Sequence, residues 1–489
     1  MRLSGLALSV LLVLTGCTDQ VPSPIEQVQS GVDFSNQQIS WEACDTGFEC
    51  SAVAVPLDHL NPDGQVFEIA LIRKAGTDNL PPLLINPGGP GASGVAYVRD
   101  SYESLGTEKL RSDFQLIGFD PRGVGESAPV ICSDLDLKDQ VYYEESGFPL
   151  GSEQDLEVSK DLLERFAASC QESGFDVSYF NTQQAARDMD VIRSALGVEK
   201  LDYLGFSYGT ELGATYIALF PERVGRFVLD GAVDPTLSSG ESTVSQVEGF
   251  DKAFRTYLAD CLAQASCPFT GTVDNALTRV DELLVDLQTT KLATQYDREV
   301  GITVALYGIF AALYSQASWP YLTQAFEEAF QGDGSTLLLL ADFYNDRDPD
   351  GGYLSNINEA NNAINCADER VAAEDFAMVR QAAIGASDVF GKYFAFPELG
   401  CLGWPEGKST VEIDYTVGLE VGPLVIGTTG DPATPYQQAV SLAKILSGST
   451  LLTFQGEGHT AYGSEPCVND HVENYLLGED LGSAELICG

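Results

Sequence analysis

The chain has 489 residues, in which 26 Lys and Arg face 72 Asp and Glu, for a formal charge of −46. That length provides for a well-buried core, as about three average domains or as one large α/β domain carrying an insertion. The acid excess argues against nucleic-acid ligands and adhesion to anionic membrane surfaces; with no dominant acidic block, it reads as a solvated surface suited to a salty medium.

The first residues read as an export signal. Arg2 supplies the positive end, Leu6 to Leu14 the apolar stretch, and Leu14-Thr15-Gly16-Cys17 a small-residue cleavage site. The stretch is too short to span a bilayer as a helix. It resembles a bacterial lipobox, which implies a lipoprotein signal peptide over 1–16 and lipidation of Cys17. Residues 17–38, polar with Pro22 and Pro24, then form a tether. The expected location is the cell envelope, on the periplasmic face or the cell surface, with membrane contact through the lipid anchor only.

Ten cysteines remain beyond Cys17, an even number in an exported chain, and point to disulfides. Spacing does not set their connectivity. The simplest pairing joins neighbours: Cys44–Cys50, Cys132–Cys170, Cys261–Cys267, Cys366–Cys401 and Cys467–Cys488. The alternative is a metal site, but the chain has no C-x-x-C and only three histidines. Neither a metal nor another cofactor is expected.

Ser51 to Val55 and Val66 to Arg73 read as antiparallel strands joined by a turn through Asn61-Pro-Asp-Gly64. The apolar run Pro82 to Ile85 opens into Asn86-Pro-Gly-Gly-Pro-Gly-Ala-Ser-Gly94, a loop whose backbone must approach something closely. It lacks the Lys-Ser/Thr of a phosphate loop and does not fit G-x-G-x-x-G, so an oxyanion loop fits better, with the N–H of Gly89 as its donor. Phe114 to Phe119 is a further strand, ending in Asp120-Pro-Arg-Gly-Val-Gly-Glu-Ser127, a turn read as structural, with Arg122 ordering neighbouring loops. Leu156 to Glu172 and Asn181 to Leu196 read as amphipathic helices.

The second of these leads into the stretch that organises the chain. Leu201 to Leu204 delivers Gly205-Phe206-Ser207-Tyr208-Gly209, and a small-residue helical segment follows from Thr210 to about Phe220. This is G-x-S-x-G in its strand–turn–helix setting, with Ser207 as nucleophile and the Tyr208 N–H as second oxyanion donor. After the strand Arg226 to Leu229, alternating strands and helices indicate a mostly parallel sheet with helices on both faces. From about Thr236 to Pro405 the chain turns largely helical, as in Val304 to Tyr314 and Tyr321 to Phe330, and reads as a cap inserted after the sixth core strand. Strands resume at Pro423 to Gly427 and Thr450 to Phe454, and a final helix runs through His471 to Leu477. The expected division is therefore core over 39–235, cap over 236–405 and core again over 406–489.

A nucleophilic serine needs a base, and the base an orienting acid. His59 lies in a turn far upstream and His471 within a helix, whereas His459 follows a strand in the flexible Gln455-Gly-Glu-Gly-His-Thr460. Asp431 follows the preceding strand, and Asp230, which ends another, is the alternative acid. The order Ser207, Asp431, His459 is that of α/β-hydrolases. The Asn86–Gly94 loop, Asp120–Ser127, the Ser207 elbow, Gly430-Asp431-Pro432 and Gly458-His459 together resemble the proline iminopeptidase and tripeptidyl aminopeptidase group. Pro87-Gly-Gly-Pro-Gly91 looks like that group's oxyanion segment, with proline where iminopeptidases carry histidine. That departure, the disulfides and the C-terminal segment look more like the secreted tripeptidyl aminopeptidases.

The resemblance implies an α/β-hydrolase fold with a helical cap, and an exopeptidase that removes tripeptides or single residues from oligopeptides. Such an enzyme must hold the substrate's free ammonium. Asp368 and Glu369, in Ala363-Ile-Asn-Cys-Ala-Asp-Glu369, look like a cap motif of the group and are the candidates, the alternative being that they brace the cap. An esterase with the same triad, and a non-catalytic binding lipoprotein on the same scaffold, are the competing readings.

Overall fold

The computed structural model describes residues 32–489 except 172–173, 349–350, 480 and 482–485. The signal segment, Cys17 and most of the expected tether lie outside the described residues. A hairpin of β1 (Glu42–Asp45) and β2 (Phe48–Pro56) leads through β3 (Val66–Lys74) to β4 (Pro82–Asn86), and α1 (Gly94–Ser101) and α2 (Glu108–Asp113) precede β5 (Gln115–Phe119). Next come α3 (Leu135–Tyr143), α4 (Glu153–Cys170), α5 (Thr182–Ala195), β6 (Leu201–Phe206), α6 (Tyr208–Leu219) and β7 (Val224–Asp230). The ten strands form one sheet in the order β1-β2-β3-β5-β4-β6-β7-β8-β9-β10, completed by β8 (Leu424–Gly430), β9 (Thr450–Glu457) and β10 (Leu486–Cys488). From β5 to β10 all neighbours run parallel.

The central strands carry the signature of a sheet covered on both sides, near-continuous apolar runs. In β4, Leu83 and Ile85 enter one apolar cluster with Leu204 and Val228, while Leu84 enters the other with Tyr203 and Leu229. Side chains alternate across a strand, so one run feeds two cores. Helices α14 (Tyr436–Ile445) and α15 (Pro466–Leu476) flank the last strands. The chain continues past α15 into β10, so the helix expected to be last is followed by one more strand.

Between β7 and β8 the described chain is helical: α7 (Ser239–Leu262), α8 (Val273–Asp286), α9 (Ile302–Leu313), α10 (Trp319–Ala329), α11 (Ser335–Tyr344), α12 (Ile357–Asp368) and α13 (Phe376–Ala386). It follows the seventh strand rather than the sixth, because β1 adds a hairpin strand at the sheet edge. Local chemistry starts these helices. Ser238 and Glu241 form a reciprocal capping box on α7, as Thr272 and Asn275 do on α8. A buried Lys138–Glu359 pair, with Nζ 2.7 Å from both carboxylate oxygens, ties α12 to α3. The five disulfides join neighbouring cysteines, Cys44–Cys50, Cys132–Cys170, Cys261–Cys267, Cys366–Cys401 and Cys467–Cys488.

Strand register sets where the chemistry can be. Asn86 pairs with Gly205, Phe206 with Asp230, and Gly430 with Glu457. The loops leaving β4, β6, β7, β8 and β9 therefore emerge along one edge, the carboxyl ends of parallel strands, where open α/β sheets bind ligands.

Candidate active site

Ser207 joins β6 to α6 with φ of +54°, a backbone conformation that costs a side-chain-bearing residue energy and that a tight turn between strand and helix imposes. The flanking glycines are steric necessities. A Cβ at Gly205 would come within 2.5 Å of the Gly209 carbonyl, and one at Gly209 within 2.8 Å of Asn86 Oδ1. The turn is held by the Ser207 N–H donating to the Asp230 carbonyl at 2.9 Å, and by Thr210 Oγ1 donating to the Ser207 carbonyl at 2.6 Å.

The glycine loop after β4 lies against this elbow. A Cβ on Gly88 would sit 2.4 Å from the Phe206 carbonyl and 3.3 Å from the Tyr208 nitrogen, and the Gly88 N–H is held by Asn86 Oδ1 at 2.9 Å. Among the described residues, neither the Gly89 nor the Tyr208 N–H finds an acceptor. Tyr208 opens α6, where unsatisfied N–H groups favour negative charge.

His459 follows β9, and its Nδ1 lies 2.9 Å from both oxygens of Asp431. The Asp431 carboxylate also accepts from the N–H groups of Ala433 and Thr434, each at 2.9 Å, so it is fixed in place. The His459 N–H donates to the Tyr314 carbonyl at 2.8 Å, and the Tyr314 ring stands edge-on to the imidazole with centroids 5.2 Å apart. Burial opposes protonation of His459, but the charge and hydrogen bond of Asp431, with a contribution from Asp230, outweigh it and raise the imidazole above its ordinary pKa. Ser207 and His459 meet adjoining residues at the end of β7: the Asp230 carbonyl holds the Ser207 N–H, and a Cβ on Gly231 would lie 3.2 Å from His459 Cε1. Ser207 Oγ makes no hydrogen bond among the described residues, a looseness common before substrate tightens a site.

Asp230, the alternative acid, does not hold the imidazole. Its buried carboxylate accepts from the N–H groups of Ala461 and Tyr462 at 3.0 and 2.8 Å. His59 bonds Asp188 at 2.7 Å, beside the buried Arg122. His471 lies within α15 near Cys467 and Cys488, the grouping among the described residues with metal-ligand proximity, but those two sulfurs are joined in a disulfide.

Asp368 and Glu369 both have partners. Asp368 accepts from the Thr182 N–H at 2.6 Å and Oγ1 at 2.7 Å, and Thr182 Oγ1 lies 2.5 Å from Tyr208 Oη. Glu369 accepts from the Ser239 N–H at 3.0 Å. Asp368 therefore braces the helical segment against α5 of the core, and Glu369 ties two parts of that segment together. The structure adds an acid that the sequence reading passed over, Glu211, one helical turn after Ser207. It is half-buried and has no hydrogen bond or ion pair among the described residues. Burial, then the charges of Asp368 and Glu369, push the Glu211 carboxyl well up; burial and Glu369 likewise raise Asp368 against the Thr182 bonds. Its signal in the sequence was spacing, since residues four apart share a helix face.

The model of the alpha/beta hydrolase fold family matches residues 81–466. The chain is 34% identical over 494 residues to the serine protease Hip1 of Mycobacterium tuberculosis, covering 96% of this chain and 94% of that protein. It is 35% identical over 501 residues to a protein named carboxylesterase B from the same organism, with 97% and 94% covered. To the tripeptidyl aminopeptidase of Streptomyces lividans it is 30% identical over 475 residues, with 94% and 87% covered.

Proposed function

Since the chain belongs to the α/β-hydrolase fold family and is a serine hydrolase of its peptidase group, we propose that it is an exported aminopeptidase acting through Ser207, His459 and Asp431. His459 takes the Ser207 proton as Oγ attacks the scissile carbonyl, and the N–H groups of Gly89 and Tyr208 receive the oxyanion. His459 then protonates the leaving amine, and water hydrolyses the acyl-enzyme. Asp431 accepts the hydrogen bond of Nδ1–H, which fixes the imidazole tautomer, and stabilises the imidazolium, a role the Nδ1–carboxylate contacts support.

The observation that carries the aminopeptidase reading is the group of carboxylates behind the nucleophile. The charges of Asp368 and Glu369 raise the proton affinity of Glu211, that of Glu369 raises the proton affinity of Asp368, and none of the three is paired with Lys, Arg or His among the described residues. Such a site favours an arriving cation, and the free α-ammonium of a peptide supplies one. Glu211, with no other partner, is the direct acceptor; Asp368 and Glu369 shape the pocket and add charge. A cavity of about 910 Å³ is lined by Tyr142, Tyr307, Ser239, Arg370 and Trp404, and none of Ser207, His459, Glu211, Asp368 and Glu369 is in its wall. Tyr142, Tyr307, Tyr344 and Tyr314 form a run of ring contacts from its wall to His459.

Five disulfides suit an oxidising compartment, which supports export and, with the N-terminal segment, lipidation at Cys17 on the envelope. The carboxylesterase relative keeps an esterase as the second reading. Fluorogenic di- and tripeptide amides with free or acetylated N-termini separate the two, with Ser207→Ala as control. Cleavage of free-amine peptides alone, lost in the variant, is expected, and the preferred length names the type. Ser207-dependent turnover of short acyl esters without peptide cleavage overturns the peptidase reading.

A further inference from the structure

The carboxyl end of β7 is where the elbow and the His459 loop meet. The Asp230 carbonyl accepts the Ser207 N–H, and its carboxylate, with no measurable exposure, accepts the N–H groups of Ala461 and Tyr462. One residue thus grips both the strand that presents the nucleophile and the loop that presents the base. From the cap side the loop is held separately, by the Tyr314 carbonyl and a bridge between Ser315 and Gly458. The groups that face Asp230 electrostatically are His459 and Asp431 across the strand ends and Tyr97 from α1. No Lys or Arg is among them, so the cation available to this buried carboxylate is His459 itself.

We propose that Asp230 is a positioning residue of the reaction: as a carboxylate it anchors the 461–462 backbone beneath His459 and adds a second negative charge that favours the imidazolium formed during acyl transfer. The inference rests on the assignment of His459 as the base. Hydrogen-bond chemistry accounts for the residue type. Both oxygens meet N–H donors, so an amide in the same place turns its own NH2 against one of them. The imidazolium needs the charge because its own burial opposes it, and Asp230 is among the groups that raise the His459 pKa. Burial pushes Asp230 up to about 6 against the two backbone bonds, so the carboxylate is charged at neutral pH and is lost in mild acid.

The test is Asp230→Asn, read as kcat/KM against pH for Ser207-dependent hydrolysis of p-nitrophenyl acetate. This ester carries no ammonium, so failure of the aminopeptidase reading leaves the test intact. The expected result is a plateau lowered roughly tenfold, as for a charged hydrogen bond lost from a buried site. The acid limb moves to lower pH by about half a unit or more, because the imidazole loses a neighbouring negative charge. A plateau within twofold of the parent, or a lowered plateau with an unmoved acid limb, overturns the proposal. A second measurement needs neither turnover nor a folded variant. With three histidines in the chain, the His459 Cε1 resonance of the unaltered protein can be followed by NMR. It is expected to report two ionisations, its own and that of Asp230; a single ionisation overturns the link.

Discussion

Glu211 illustrates how much a single residue's place can matter in a chain with 72 acids. On α6 it shares a face with Ser207, and the charges of Asp368 and Glu369 raise its carboxyl. Glu211→Gln keeps its shape and removes its charge. The expected outcome is a KM raised about tenfold or more for free-amine peptide amides, with kcat little changed and acetylated or ester substrates unaffected. The pH dependence has a definite sign. The Glu211 carboxyl is raised, so in mild acid the unoccupied site holds a proton that the ammonium must displace. KM for free-amine peptides therefore falls as pH rises, until the substrate's own α-amine loses its proton near about 8. The Gln variant flattens that fall. A KM that follows the same curve for acetylated peptides excludes the ammonium as its cause. Ser207, Asp431 and His459 were legible as residue types in a strict chain order, but Glu211 was not. No motif marks an acid whose meaning comes from a cap carboxylate more than 150 positions away.

At the scale of elements, α5 is fastened by charge rather than by its apolar face alone. Asp188 on α5 accepts two hydrogen bonds from Arg122 of the post-β5 turn and one from His59 of the β2–β3 turn, and all but the histidine are about 1% exposed. Burial alone would raise the Asp188 carboxyl, but the Arg122 charge and the two partners' hydrogen bonds hold it below its ordinary value. A depressed carboxyl contributes stability above the unfolded carboxylate range and loses it as pH falls through that range and below. Asp188→Asn leaves Arg122 buried without its counter-charge, so a loss of about 3–5 kcal/mol is expected as a lowered urea midpoint at neutral pH. The loss shrinks in acid, where the parent forfeits the same contribution; a pH-independent loss points to packing alone. The turn around Arg122 was legible as structural, and β2 through β9 were legible because apolar runs and glycine punctuation mark them. β1 and β10 were not. β1 is four exposed residues without alternation and β10 only three, and each gets its reason from a partner strand and a disulfide, Cys44–Cys50 or Cys467–Cys488. Periodicity reports the burial a segment makes for itself, not the pairing another segment offers it.

For the whole molecule the governing quantity is the charge of −46. Even if every Lys and Arg were paired one to one, most acids would have no cationic side chain to pair with, and the described ion pairs run from buried Lys138–Glu359 to surface contacts such as Arg165–Asp161. Salt acts on these in opposite senses. It weakens exposed pairs, which contribute little each, and it screens the summed repulsion of the surface, which grows with net charge. Between 0.1 and 1 M NaCl the screening length falls from about 10 to about 3 Å, short enough to separate most surface carboxylates from one another. With so large an imbalance repulsion outweighs the pairs, so the thermal midpoint is expected to rise by roughly a few degrees over that range. A midpoint that falls shows the pairs to dominate instead. The same salt should lower kcat/KM for free-amine peptides, whose approach the acidic surface favours at low ionic strength, and leave that for a neutral ester nearly unchanged. Stability rising while capture of the cationic substrate weakens is the joint signature of one acidic surface acting on both, and charge-balancing substitutions far from Ser207 should diminish the two effects together.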